Sequence, residues 1–232
     1  MHGRGSAASG DSKEMIRARR DFLAAGYYSR IAQGVCDALA SHSPGSVIDA
    51  GCGEGYYTSL VADRLTEARI VGFDLSKPGI DIAAKAAKLK KLNDRLIYSV
   101  AGIFDLPIKD NCVDAVINLF APCAHEEFHR VLAENGILIT VVAGVRHLYG
   151  FKQAIYDLPY ENELRRDVLP NFTLEDVINV SYEAEIKKEH IFPLFTMTPY
   201  YFRTSPEDSA KLDLLDSLKT EISADILIYR KV

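Results

Sequence analysis

The chain contains no run of 18 or more apolar residues, so it encodes no helix able to cross a bilayer. No secretory signal is visible. Its four cysteines, Cys36, Cys52, Cys112 and Cys123, include no C-x-x-C pair, which speaks against a structural zinc site. No metal site is expected, and the scattered thiols read as reduced and mostly buried in a cytoplasmic protein. Positive charge is not in excess: 27 Lys and Arg face 32 Asp and Glu, a net charge of −5. That argues against a strong, autonomous nucleic-acid binder but leaves room for a local basic surface. No internal repeat occurs, and no low-complexity tract beyond the first ten residues. What remains is ordinary: 232 residues, 48% hydrophobic and 25% charged, suit one elaborated domain with an ample core.

One stretch organises the rest. Ser46-Val47-Ile48-Asp49-Ala50 reads as a buried strand, and Gly51, Gly53 and Gly55 follow it before a helical pattern begins near Tyr56. Glycines at a strand-to-helix turn let the backbone approach a ligand closely. Their spacing is G-x-G-x-G rather than the G-x-G-x-x-G of dinucleotide binders. The next apolar run, Ile70-Val71-Gly72-Phe73, ends at Asp74, where an acid can accept both hydroxyls of a ribose. Glu54 inside the turn and Asp49 before it disfavour a pyrophosphate and suit a cationic ligand. Together these features point to S-adenosylmethionine rather than NAD; the alternative is a tight turn with no ligand.

In chain order, residues 1–10 form a glycine-rich lead, read as disordered or as an expression scar. Residues 11–44 make an N-terminal helical segment: one helix capped by Asp11-Ser12 and ended by Gly26, another over 29–41. The first should bury Met15, Ala18, Phe22 and Ala25 on one face. Arg17, Arg19, Arg20 and Arg30 make this region basic, as a solvated face or as a contact for RNA phosphate. Residues 45–145 alternate strands (46–50, 69–74, 96–100, 113–118, 136–142) with helices (56–65, 78–91, 124–132), which predicts a mostly parallel sheet with helices on both faces. Ligands in such sheets sit beyond the carboxyl ends of the strands, and Asp49, Asp74, Gly102 and Asn118 all fall there. From 146 to 200 the alternation breaks into a short helix, a loop, a helix opened by Thr173 and Asp176 as a weak capping box, and an extended stretch 184–195. Residues 201–232 carry a helix over 206–218, capped by Ser205 with Pro206 at its first position, and a closing strand over 222–230. The two late strands read as an antiparallel addition at the sheet edge.

These features resemble a class I, Rossmann-like S-adenosylmethionine-dependent methyltransferase. The strings Gly10-Asp11-Ser12-Lys13-Glu14-Met15, Gly26-Tyr27-Tyr28, Asp49-Ala50-Gly51-Cys52-Gly53-Glu54-Gly55-Tyr56-Tyr57-Thr58, Ala121-Pro122-Cys123, Arg146-His147-Leu148 and Met197-Thr198-Pro199 are similar to one subfamily. That subfamily is the bacterial 23S ribosomal RNA guanine-N1 methyltransferases, and the resemblance runs from about Gly10 onward. Members usually begin with a small zinc-finger domain. This chain starts where the linker helix should, as a catalytic portion of a longer protein or as a finger-less relative. Zinc is therefore expected only in that absent domain, and binding to ribosomal RNA by this chain alone is expected to be weak.

The resemblance implies a cofactor site of Tyr28, Asp49, Gly51, Gly53, Glu54, Gly55, Asp74, Gly102, Ile103, Asn118 and His147. Gly51, Gly53 and Gly55 would admit the methionine portion, with Glu54 and Asp49 facing its ammonium. Asp74 would take the ribose. Many relatives in the wider fold place an acid after the third strand to read adenine; here Gly102, Ile103 and Phe104 stand there, so apolar and backbone contacts would hold it. Tyr28 would fold over the cofactor, and His147 would meet its carboxylate. No catalytic base is identifiable, although Asp157, Glu161 and Glu163 in the 146–200 substrate-recognition insertion are candidates, and Tyr149, Phe151, Tyr156 and Tyr160 are candidates to stack on a flipped guanine. The activity implied is methylation of guanine N1 in 23S ribosomal RNA. A small-molecule methyltransferase of the same fold, or a non-catalytic cofactor-binding module, are the alternatives.

Overall fold

The computed structural model describes residues 12–232, so the expectations for residues 1–11, including the cap at Asp11, lie outside it. Helix α1 (Lys13–Ala24) begins where the Ser12 hydroxyl accepts from the Met15 N–H, and Gly26 follows it at φ +84°. Its buried residues are Ile16, Phe22 and Leu23; Met15 and Ala18 are only half-buried, and Ala25 is exposed, so the inner face is turned from the one expected. Helix α2 (Ser29–His42) buries Ile31, Val35, Cys36 and Leu39 and ends at Ser43 in the left-handed region.

Strands β1 (Ser46–Ala50), β2 (Arg69–Asp74), β3 (Leu96–Val100), β4 (Val113–Leu119) and β5 (Leu132–Ala143) run parallel. Helices α3 (Tyr56–Arg64), α4 (Lys77–Leu89) and α5 (His125–Val131) connect them. The sheet continues with β7 (Ser217–Lys231), antiparallel to β5, and β6 (Phe172–Lys187) on the edge. Its order is β3-β2-β1-β4-β5-β7-β6, with the direction of winding reversing between β1 and β4. That reversal opens a crevice beyond the carboxyl ends of β1 and β4.

Alternation along the strands divides the apolar residues between two cores. Val47, Ala115, Ile117, Ile139 and Ile226 face α2 and α3, while Ile48, Val116, Leu138 and Leu227 face α5. This is the arrangement the alternating periodicities imply: a mostly parallel sheet with helices on both faces and an antiparallel edge.

The region after residue 146 departs from expectation. Helix α6 (Tyr149–Ile155) is present, but Thr173 opens no helix; it lies inside the edge strand β6. Asp176 sits at the β6 register shift, and its carboxylate accepts from the Val177 N–H. A carboxyl group satisfying a bulge looks in sequence like one satisfying a helix start. Residues 188–195 are not extended but form helix α7 (Lys188–Thr196), which tolerates Pro193 within it. The 206–218 helix is shorter too: α8 (Pro206–Ala210) passes into a 3-10 turn, Lys211–Leu214, and β7 then begins. The Ser205 cap and Pro206 at the first turn are as read, with the Ser205 hydroxyl accepting from the Asp208 N–H.

Candidate functional site at the β1–β4 crevice

The glycine turn leaves β1 with Gly51, Gly53 and Gly55 at φ +90°, +57° and +82°. Side chains are disfavoured there, and space forbids them at Gly55, where an added Cβ would lie 2.6 Å from the Tyr98 hydroxyl and 2.8 Å from Ala83. The Gly51 and Cys52 N–H groups both donate to the Phe73 carbonyl, which ties the turn to the end of β2.

Asp74 completes that tie. One carboxylate oxygen accepts from Gly53 N at 2.9 Å and the other from Ser76 N at 2.7 Å, so the acid joins the turn to the start of α4. A carboxylate offers about four acceptor sites, so two remain for a ligand's hydroxyls. Asp49 is almost fully buried beneath the turn, and its carboxylate accepts from the Thr58 hydroxyl at 2.6 Å. Glu54 is buried as well, within the turn itself. The Asn118 amide donates to the Ala50 carbonyl at 2.8 Å and binds the end of β4 to the end of β1. Gly102 and Ile103 are half-buried in the loop after β3, beside Leu75 and the exposed Phe104.

Two residues far apart in sequence, Tyr28 and His147, are in contact: the Tyr28 hydroxyl lies 3.0 Å from His147 Nε2, and both are buried. The Ser223 N–H, on β7, donates to His147 Nδ1 at 3.2 Å. A neutral ring accepting at Nδ1 carries its proton on Nε2, so His147 donates to the tyrosine oxygen. The Tyr28 O–H is thereby turned toward a further acceptor. The loop that presents His147 is held by Arg146, paired with Glu161 and Glu221, and by the Asn162 amide, which donates to the Gly144 and His147 carbonyls. Lys152 in turn donates to the Asn162 side chain.

Phe120, absent from the sequence reading, joins this group. It follows β4 at φ +52°, is 41% exposed, and stacks on His147 at 5.9 Å with Tyr28 at 6.0 Å. A non-glycine residue in that region costs of order 1–3 kcal/mol and persists where its surroundings over-determine it. Tyr57 is the second addition. Its buried hydroxyl has no hydrogen-bond partner among the described residues, and it lies in the electrostatic reach of Tyr28 and Glu54. An aromatic string such as Tyr56-Tyr57 carries no signal that separates such a group from packing.

The candidate bases and stacking residues of the segment 146–200 are otherwise engaged or exposed. Asp157 pairs with Lys211 and Glu161 with Arg146, while Glu163 is exposed. Phe151 is fully buried against Phe195 and Tyr200, which removes it as a platform for a base. Tyr149 lies under the Arg146 guanidinium, and Tyr156 packs on Tyr160.

Burial pushes the Asp49 carboxyl up to about 7 against the Thr58 bond, with Asp74 and Glu54 adding to the rise. Burial, then the Lys152 charge, takes the His147 imidazole down to about 4. The two act on stability with opposite sign. Between its ordinary 3.8 and about 7, folded Asp49 holds more proton than it does unfolded, so its contribution falls as pH rises. Between about 4 and the ordinary 6.5, unfolded His147 holds more, so its contribution grows as pH rises. Asp49→Asn should therefore leave stability climbing from about pH 4.5 to pH 6.5, and His147→Gln should leave it declining. Urea denaturation across that window checks this, and parallel profiles for the two variants would refute it.

Residues 41–189 match a family described as a methyltransferase domain. The chain is 29% identical over 212 residues to a Bacillus subtilis protein named as a 23S rRNA (guanine-N1)-methyltransferase, covering 88% of this chain and 73% of that one. It is 26% identical to the 23S rRNA (guanine(748)-N(1))-methyltransferase of Streptomyces fradiae, covering 87% and 73%. Among solved structures, a geranyl diphosphate methyltransferase in complex with S-adenosylmethionine aligns at a TM-score of 0.58 and 17% identity over 98% of this chain and 93% of that one.

Proposed function

The chain belongs to the methyltransferase-domain family, and from that membership we propose that it transfers the methyl group of S-adenosylmethionine to N1 of a guanine in 23S ribosomal RNA. The observation that carries the acceptor is likeness to a ribosomal RNA guanine-N1 methyltransferase along 88% of the chain.

The residues at the crevice fit the cofactor. The glycine turn leaves a cradle that side chains would fill, Asp74 keeps free acceptor capacity, and the Tyr57 hydroxyl is a buried polar group without a partner among the described residues. In this reading Gly51, Gly53 and Gly55 admit the methionine portion, with Glu54 and Asp49 as its anionic surroundings. Asp74 takes the ribose hydroxyls, Gly102 and Ile103 border the adenine, and Asn118 offers its remaining carbonyl oxygen to the amine. Tyr28, held by His147, directs its O–H to the carboxylate.

The sulfonium supplies an electrophilic methyl group. The protein's work is alignment, and holding reactants in line is worth roughly 7–11 kcal/mol in favourable cases. Phe120 stands just past the end of β4, two residues after Asn118, with its ring partly exposed for a flipped guanine to stack upon. Loss of the guanine N1 proton must accompany transfer.

Methyl transfer from labelled S-adenosylmethionine to unmodified 23S ribosomal RNA, followed by mapping of the modified base, tests the reading. The expected product is N1-methylguanine at one position. The net charge of −5 favours a small-molecule acceptor as the second reading, which labelling of metabolites but not RNA would support.

A further inference from the structure

Two basic stretches far apart in sequence come together outside the crevice. A groove of about 430 Å³ between α1 and α4 is lined by Lys13, Arg17, Lys77 and Lys85, with the single acid Asp81 and the apolar floor of Pro78 and Ile82. Among the described residues none of these four cations forms an ion pair or side-chain hydrogen bond. Elsewhere on the surface many cations are neutralised, as in Lys90 with Asp63, Arg130 with Asp110 and Arg230 with Glu175. An acidic protein that gathers unneutralised cations in one groove maintains a local positive potential there. Lys13 and Lys77 are also the first residues of their helices, where the macrodipole favours acids, so these charges sit against the local preference.

The groove adjoins the site. Lys77 follows Ser76, whose N–H holds Asp74, and α1 lies against the glycine turn, where an added Cβ at Gly53 would be 3.2 Å from the Arg19 guanidinium. An added Cβ at Gly79 would lie 2.8 Å from the Gly53 carbonyl and 3.3 Å from Ile16, so the missing side chain there lets α1, α4 and the turn close on one another. None of the proposed cofactor residues lines the groove.

We propose that the α1–α4 groove binds the phosphates of the ribosomal RNA strand beside the target guanine, an assignment that rests on the ribosomal RNA reading above. Four lysine and arginine side chains suit a run of phosphates. Pro78 and Ile82 let their aliphatic stems lie flat while the charged ends stay in water.

The test is the combined variant Lys13→Gln, Arg17→Gln, Lys77→Gln, Lys85→Gln, beside a reference variant Lys109→Gln, Lys187→Gln. The probe is an unmodified 23S ribosomal RNA transcript, titrated at several salt concentrations, with cofactor affinity measured by calorimetry. Each single-stranded phosphate contact contributes about 0.7 to the slope of log affinity on log salt. The groove variant should bind with a slope shallower by about 3, which is roughly several hundred-fold weaker binding at 100 mM salt. Its cofactor affinity should match the parent's, and the reference variant should change little. A groove variant with the parent's slope, in a parent that binds and methylates the RNA, overturns the groove alone. A loss of cofactor affinity equal to the loss of RNA affinity overturns it as well. A parent that neither binds nor methylates the RNA overturns the ribosomal reading, and the groove with it.

Discussion

Phe120→Gly is expected to slow methyl transfer to RNA by roughly 5- to 150-fold while changing stability by no more than about 1 kcal/mol. The activity figure follows from base–aromatic stacking, worth about 1–3 kcal/mol per base. The stability figure follows from two opposed effects. Glycine relieves the φ of +52° but gives up the ring contacts with His147 and Tyr28 and makes the unfolded chain more flexible. Single-turnover methylation and urea denaturation of the same preparation separate the two. Unchanged turnover would remove the ring from the acceptor site. Turnover lost only in proportion to cofactor affinity would make Phe120 part of the cofactor wall instead.

The second large effect is expected at Asp74. Asp74→Ala removes the acceptor for both Gly53 N and Ser76 N as well as the proposed ribose contact. Hydrogen bonds to a charged group are worth about 1.5–3 kcal/mol, so S-adenosylmethionine should bind roughly 10- to 150-fold more weakly. Asp74→Asn keeps one acceptor oxygen and should fall between parent and alanine. Calorimetry reads both, and equal affinity across the three proteins would take Asp74 out of the site.

The core was legible in the sequence because its signals were local. β1, β2 and β3 are short apolar runs bounded by turn residues, and the structure begins and ends them where the pattern does. The C-terminal third was less legible because tertiary pairing decides it. Residues Thr173 to Asp176 carry a helix-start signature, yet β7 recruits them as a strand. The eight residues from Lys188 read as part of an extended stretch, whereas packing of Ile191, Leu194 and Phe195 against the core holds them helical. For the site, the turn glycines and strand-end acids announce themselves by spacing. Phe120 does not, since nothing in the residues Leu119-Phe120-Ala121 marks a left-handed backbone. Nor does the Ser223 N–H that fixes the His147 tautomer, because a main-chain donor leaves no trace in side-chain identity.

The position of β7 between β5 and β6 has a consequence in time. β6 precedes β7 in the chain, yet it reaches the sheet only through it. During synthesis the five parallel strands can assemble first, while Phe172–Lys187 waits unpaired. When Ser217–Lys231 emerges, one strand closes the open edge at β5, captures β6 and delivers Glu221 and Ser223 to the loop that holds His147. Completion of the sheet and preorganisation of the Tyr28–His147 pair are therefore a single late event, and a nascent chain that has not yet made β7 carries the glycine turn without the wall opposite it.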